Sequence, residues 1–191
     1  MKVGVLALQG AFREHREVLA ALGVTSIEVR RPEDLAALDA VILPGGESTT
    51  MAKLLVTSEV RDPLQAAIAG GLPTLGTCAG LILLARVVLD GRDDLIPLGD
   101  LDVTVRRNAY GRQAQSFEAP IEVAGIDGGP FPGVFIRAPG IEAVGAGVEV
   151  LAEHRGRPVL CRAASIWGAA FHPELSGDLR FHQRFLQEVS A

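Results

Sequence analysis

Gly76-Thr77-Cys78-Ala79-Gly80 sets a thiol between two glycines, each two residues away. Gly-x-Cys-x-Gly is the cysteine form of the nucleophile-elbow spacing, where a strand turns at once into a helix. Small neighbours let backbone approach the bend without Cβ clashes. A helix N-terminus favours thiolate over thiol, and its N–H groups can receive an oxyanion. The same stretch also reads as a small buried cysteine behind a glycine turn, since free Cys is among the most buried residue types. A thiol nucleophile needs a base, and the base an orienting partner. His172-Pro173-Glu174 can supply both. If that segment is extended, residues i and i+2 project to one side. The carboxylate then reaches one ring nitrogen while the other faces Cys78. Alone, His-Pro-Glu reads equally as a helix-start turn; beside a cysteine elbow, catalysis is the better reading.

Two further stretches carry polar chemistry. Pro44-Gly45-Gly46-Glu47-Ser48-Thr49-Thr50 is a glycine-rich loop that suits an anion or a developing oxyanion, or is a plain tight turn. It lacks the Walker A pattern. Arg106, Arg107 and Arg112 fall within seven residues. They make either a solvated loop or a cluster able to pair with a carboxylate.

The elements that must position these residues follow from apolar patterning. Val3 to Leu8, Ile27 to Val29 and Ala40 to Leu43 read as buried strands, and Leu72-Pro73-Thr74-Leu75 as the strand feeding Cys78. Phe12, His15, Val18, Leu19 and Leu22 recur at helical spacing. His15 reads there as a packing residue. Helices are also expected from the glycine loop through Leu55, after Glu59 to Gly70-Gly71, and from Leu81 onward. Alternating β and α units predict a mostly parallel sheet with helices on both faces. Leu101 to Val105, Ile121 to Val123, Val134 to Ile136, Val148 to Ala152 and Val159 to Cys161 read as short strands, partly antiparallel. Glu153 to Arg157 reads as a hairpin turn with His154 exposed. Ile166 to Phe171 leads into His172, and a last helix carries Leu179, Phe181, Phe185, Leu186 and Val189. His182 lies beside that stripe as a packing or surface residue, and Cys161 reads as structural.

Bulk properties set limits. A chain of 191 residues with 48% hydrophobic and 21% charged content is most simply one globular α/β domain. A net charge of −5 gives no reason to expect nucleic acid or an anionic membrane as partner. All but Lys2 and Lys53 of the 18 basic residues are arginine. Cys78 and Cys161 are too few for a disulfide scaffold. The first residues read as a core strand and not a signal peptide, and no apolar run approaches a membrane span. A soluble, cytoplasmic protein is expected. His15, His154 and His182 show no ligand spacing, so neither metal nor cofactor is expected.

Gly76-Thr77-Cys78-Ala79-Gly80, Leu43 to Thr50 and Phe171 to Leu175 together resemble the class I (triad) glutamine amidotransferases. The segments 4–15, 107–113, 116–119 and 134–139 resemble, more narrowly, the glutaminase subunits of pyridoxal 5′-phosphate synthases. The resemblance spans nearly the whole chain. It implies a flavodoxin-like fold and hydrolysis of glutamine to glutamate and ammonia through a thioester on Cys78. His172 would act as base and then acid, oriented by Glu174. Gly46 and Ala79 would offer the oxyanion N–H groups, and Arg107 would meet the substrate α-carboxylate. Gly46, Glu47, Ser48, Ile136 and Arg137 match other substrate contacts. Gln9 would couple docking of a partner to formation of the oxyanion hole. The hydrolase site leaves no room for an ammonia-using domain, so the resemblance implies a separate (β/α)8-barrel synthase subunit in a hetero-oligomeric complex. Two other readings stay open. One is a glutaminase feeding histidine, anthranilate or GMP synthesis, against which 107–113 and 134–139 argue. The other is a cysteine redox sensor without acyl chemistry, which would need neither His172 nor Glu174.

Overall fold

A computed structural model describes residues 1–107, 109 and 116–190. The first half runs β1 (Lys2–Leu6), α1 (Phe12–Ala21), β2 (Thr25–Val29), β3 (Ala40–Leu43), α2 (Ser48–Thr57), α3 (Arg61–Ala69), β4 (Thr74–Thr77) and α4 (Ala79–Leu84). The second half adds β5 (Ala85–Val88), β6 (Leu101–Arg106), β7 (Phe117–Ile121), β8 (Phe131–Phe135), β9 (Gly140–Val144), β10 (Glu149–His154), β11 (Arg157–Ala163), β12 (Ile166–Ala169) and α5 (Arg180–Val189).

Among the described residues, the main sheet has seven strands in the order β10-β11-β12-β4-β3-β1-β2. From β12 to β2 every pairing is parallel. The β10–β11–β12 flank is antiparallel, joined by a tight turn at Arg155-Gly156 with both φ angles positive. Every residue of β3 and β4 is buried, as for strands covered on both faces. This is the α/β architecture expected from the alternating pattern.

The smaller sheets depart from expectation. The strand expected at Ile121 to Val123 lies earlier, at β7, and Val123 makes only an isolated bridge to Ala152. The strand expected at Val134 to Ile136 is β8, ending at Phe135. The helix after Cys78 stops at Leu84 because Ala85 is already extended, with ψ 141. The chain then forms β5, which lies parallel to β6, and β9 completes that sheet. Short strands with exposed side chains give little periodic signal, which is why β5 and β9 escape a sequence reading.

Register fixes where the chemistry sits. Leu43 pairs with Gly76, and Ala169 pairs with Thr77. The loops that follow β3, β4 and β12 therefore emerge side by side at the carboxyl edge, where open α/β sheets place ligands. α5 closes the core beneath them with Phe181, His182, Phe185 and Leu186 buried.

Candidate active site

Cys78 has φ 48 and ψ −100, outside the regions open to most L-residues. Such backbone costs on the order of 1–3 kcal/mol and persists only where the surroundings dictate it. Here they do. The Cys78 N–H donates to Ala169 O at 2.8 Å, and Ile82 N–H donates to Cys78 O at 3.2 Å. A Cβ on Gly80 would lie 2.0 Å from Leu43 O, so only glycine lets α4 leave β4 against β3. The residue is 7% exposed, and Sγ lies 3.9 Å from Ile136 O as a weak donor.

His172 follows β12, its N–H donating to Val134 O at 2.8 Å. Its Nδ1–H donates to Glu174 Oε1 at 2.7 Å, and the ring lines the same cleft as Cys78. The pairing is as expected, but not through an extended segment: Pro173–Leu175 is a 3-10 turn that folds the carboxylate back under the ring. Burial alone would push the His172 imidazole down; contacts with Cys78 and Glu174 outweigh it and raise the pKa to about 10. Burial likewise works against the Glu174 carboxylate, yet His15 and His172 hold its pKa below the usual value. A protonated ring beside a thiol can leave the sulfur as thiolate and later deliver a proton to a departing amine.

The cleft above Cys78 has a volume of about 310 Å³. Its lining includes Gly46, Glu47, Ser48, Arg107, Ile136 and Arg137, all singled out from the sequence. Gly45 allows the close fit: a Cβ there would lie 2.3 Å from His172 Cε1. Gly45 O accepts from Ala11 N–H at 2.9 Å. In a planar trans peptide the Gly46 N–H therefore points the opposite way. Gln9 Oε1 accepts from Glu47 N–H at 2.9 Å, so the turn after β1 is tied to the glycine loop. Ala79 is buried at the start of α4, and what it can offer is its backbone N–H. Glu47 caps α2, accepting from Thr49 N–H at 3.1 Å and from Thr50 N–H and Oγ1–H, both at 2.7 Å. Burial opposes its ionisation, but the Thr50 and Thr49 hydrogen bonds bring its pKa down to about 2. Arg107 Nη2–H donates to Glu47 Oε1 at 3.0 Å. Arg112, Tyr110 and Gln113 of the same segment lie outside the described residues.

Several residues of the site carry no sequence signal of their own. Gly10, Glu14, Ile82 and Leu175 also line the cleft. His15, read as a packing residue, and His182, read as packing or surface, are both fully buried, and they are hydrogen-bonded to one another at 3.0 Å. The histidines are 167 positions apart, so spacing could not reveal the contact. His154 is half-buried rather than exposed, with Phe117 and Phe135 each 5.7 Å from its ring. Cys161 is buried as expected, and burial pushes its thiol up to about 12. Among the described residues no group of His, Cys, Asp and Glu could hold a metal ion. No helix there is long and apolar enough to cross a membrane.

The model of the SNO glutamine amidotransferase family matches residues 5–191. The chain is 52% identical to pyridoxal 5′-phosphate synthase subunit PdxT of Streptomyces griseus over 189 residues, covering 99% of this chain and 96% of that one. It is 53% identical to the PdxT of Parafrankia sp. over 188 residues, covering 98% and 93%. Among solved structures, a glutamine amidotransferase superposes with TM-score 0.93 at 47% identity, covering 99% of both chains. PurLQS from Thermotoga maritima superposes at TM-score 0.70 and 16% identity over 98% of each chain, a likeness of fold alone.

Proposed function

From a chain that belongs to the SNO glutamine amidotransferase family, we infer the glutaminase subunit of a pyridoxal 5′-phosphate synthase. It hydrolyses L-glutamine to L-glutamate and ammonia. The observation that carries the chemistry is the His172 ring, held by Glu174 and sharing with Cys78 the foot of one cleft. The cleft presents carboxylates, Glu14 and Glu47, together with guanidiniums, Arg107 and Arg137. That mixture suits the ammonium and carboxylate of a free α-amino acid.

In the proposed cycle, Cys78 Sγ attacks the side-chain amide carbon and the charge that gathers on oxygen is received by the N–H groups of Gly46 and Ala79. His172 gives its proton to the nitrogen, the C–N bond breaks and ammonia leaves a γ-glutamyl thioester. Water, deprotonated by His172, attacks the thioester; the C–S bond breaks and glutamate leaves. Arg107 holds the α-carboxylate, with Glu47, Ser48, Ile136 and Arg137 as further contacts. The 191 residues act as one glutaminase domain in the cytoplasm, where the thiol stays reduced. Ammonia passes to a separate synthase subunit, a (β/α)8 barrel in a hetero-oligomeric complex. Gln9 couples that docking to the glycine loop through its bond to Glu47. A Gln9→Ala enzyme should lose most of its stimulation by the partner; stimulation at the wild-type level would show that Gln9 does not couple docking to the loop.

A glutamine-analogue electrophile tests the site. It should label Cys78 stoichiometrically, and glutamine should protect. Labelling that glutamine does not slow, together with peroxide-sensitive Cys78, would favour the sensor reading.

A further inference from the structure

We infer that His15, on α1, is a positioning residue for the Cys78–His172–Glu174 triad, and that His182, on α5, sets the direction of its hydrogen bond. Its consequence for turnover rests on the glutaminase reading; the bonding pattern stands on geometry alone. The Glu174 side chain is 0% exposed, and its two oxygens face different histidines. Oε1 accepts from His172 at 2.7 Å. Oε2 is buried and has no hydrogen-bond partner among the described residues, and His15 Nε2 lies 3.3 Å away in ion-pair contact. His15 Nε2 also lies 3.2 Å from Thr77 Oγ1, in the residue before Cys78. His15 Nδ1 is 3.0 Å from His182 Nε2.

One proton arrangement suits two neutral rings in this setting. If His15 carried its proton on Nδ1, a bare Nε2 lone pair would face the buried carboxylate. His182 Nδ1, which has no partner among the described residues, would then be an orphaned N–H. The reverse arrangement removes both faults. His182 Nε2–H donates to His15 Nδ1, and His15 Nε2–H donates to Thr77 Oγ1 with its positive edge 3.3 Å from Glu174 Oε2. Both rings are neutral. Burial pushes His15 below its ordinary value, opposed by Glu174, reinforced by His172 and opposed weakly by Glu14. Burial, then His15, push His182 down to about 3 against Glu174. The carboxylate thus meets a donor at each oxygen, a hydrogen bond from the 172–175 turn at Oε1 and an electrostatic contact from α1 at Oε2. Its plane is fixed, and so is the His172 tautomer that leaves Nε2 for Cys78. His15 does not line the cleft, so it acts through Glu174 and not on substrate.

The test compares wild type, His15→Leu and His15→Gln in the full chain. Gln Nε2 can replace the donor toward Glu174; Leu cannot. The first readout is alkylation of Cys78 by iodoacetamide across pH, which needs no glutamine turnover; buried Cys161 does not compete. Losing the contact from α1 frees the Glu174 plane and lets the His172 ring turn from its place beside Cys78, so the ring assists the thiol less well. The Leu variant should alkylate about tenfold to a hundredfold more slowly at neutral pH. Gln should restore most of the rate. With the synthase subunit, kcat should fall in parallel while KM for glutamine stays within about twofold of wild type, as for a group outside the cleft. In case the Leu variant misfolds, 15N NMR of the wild-type histidines, four in all, reads the tautomer directly: His15 should be neutral with its proton on Nε2. A Leu profile superposing on wild type, a loss that Gln fails to restore, or a proton on His15 Nδ1 would each overturn the inference. Wild type that releases no glutamate would sink the glutaminase reading instead, and the alkylation comparison would still decide His15.

Discussion

Cys78 works from a backbone conformation that its neighbours impose, and the room around it is set to tenths of an ångström. Gly45 shows this most directly. A methyl there would lie 2.3 Å from His172 Cε1 and 3.3 Å from Cys78 Cβ. Gly45→Ala should therefore displace the His172 ring. Misplacement on the scale of 1 Å can cost about 100-fold, so glutamate release should fall by about that factor while far-UV circular dichroism stays unchanged. Wild-type activity in this variant would show that the loop gives way. At this scale the sequence was informative wherever chemistry is written in short spacings: the elbow, the His-Pro-Glu turn and the glycine loop. It was silent on His15 and His182. A histidine on an apolar stripe looks the same whether it packs against leucine or against a carboxylate, and its partners come from the far end of the chain.

Among the elements, α2 carries a double duty. Its cap, Glu47, satisfies the N–H groups of Thr49 and Thr50 and also orients Arg107. Glu47→Ala should cost about 1 kcal/mol, typical of a lost N-cap, lowering Tm by about 2–4 °C for a chain of this size. It should also raise KM for glutamine, because Arg107 loses its anchor. A changed Tm with unchanged KM would separate the cap from the site. The elements of the first half were legible because buried parallel strands are near-continuous apolar runs and helices show a clear period. β5 and β9 were not, because their side chains alternate weakly and their pairing is decided by tertiary contact.

Across the whole molecule, two neutral histidines are sealed in the core beneath the site. The unfolded chain binds protons on them near pH 6.5, while folded His182 holds out until about 3. Where the unfolded state binds more protons, stability rises with pH. His182 thus contributes stability that is whole above pH 6.5 and lost as pH falls toward 3. The urea midpoint should be lower at pH 5 than at pH 7, and His182→Leu should flatten that difference. An equally steep dependence in the variant would assign it to the carboxylates. The parallel sheet, its antiparallel flank and the convergence of loops at its carboxyl edge were foreseeable from the order of elements, since connectivity of this kind leaves few topologies. The depth at which α1 and α5 meet behind Glu174 was not.

The proposed activity is release of ammonia from glutamine at Cys78. Glutamate release from glutamine, measured with and without the pyridoxal 5′-phosphate synthase partner subunit and with Cys78→Ala as control, tests it most directly. Release that the partner stimulates and that Cys78→Ala abolishes is the predicted result. Folded wild-type protein that releases no glutamate beside an active partner would contradict it.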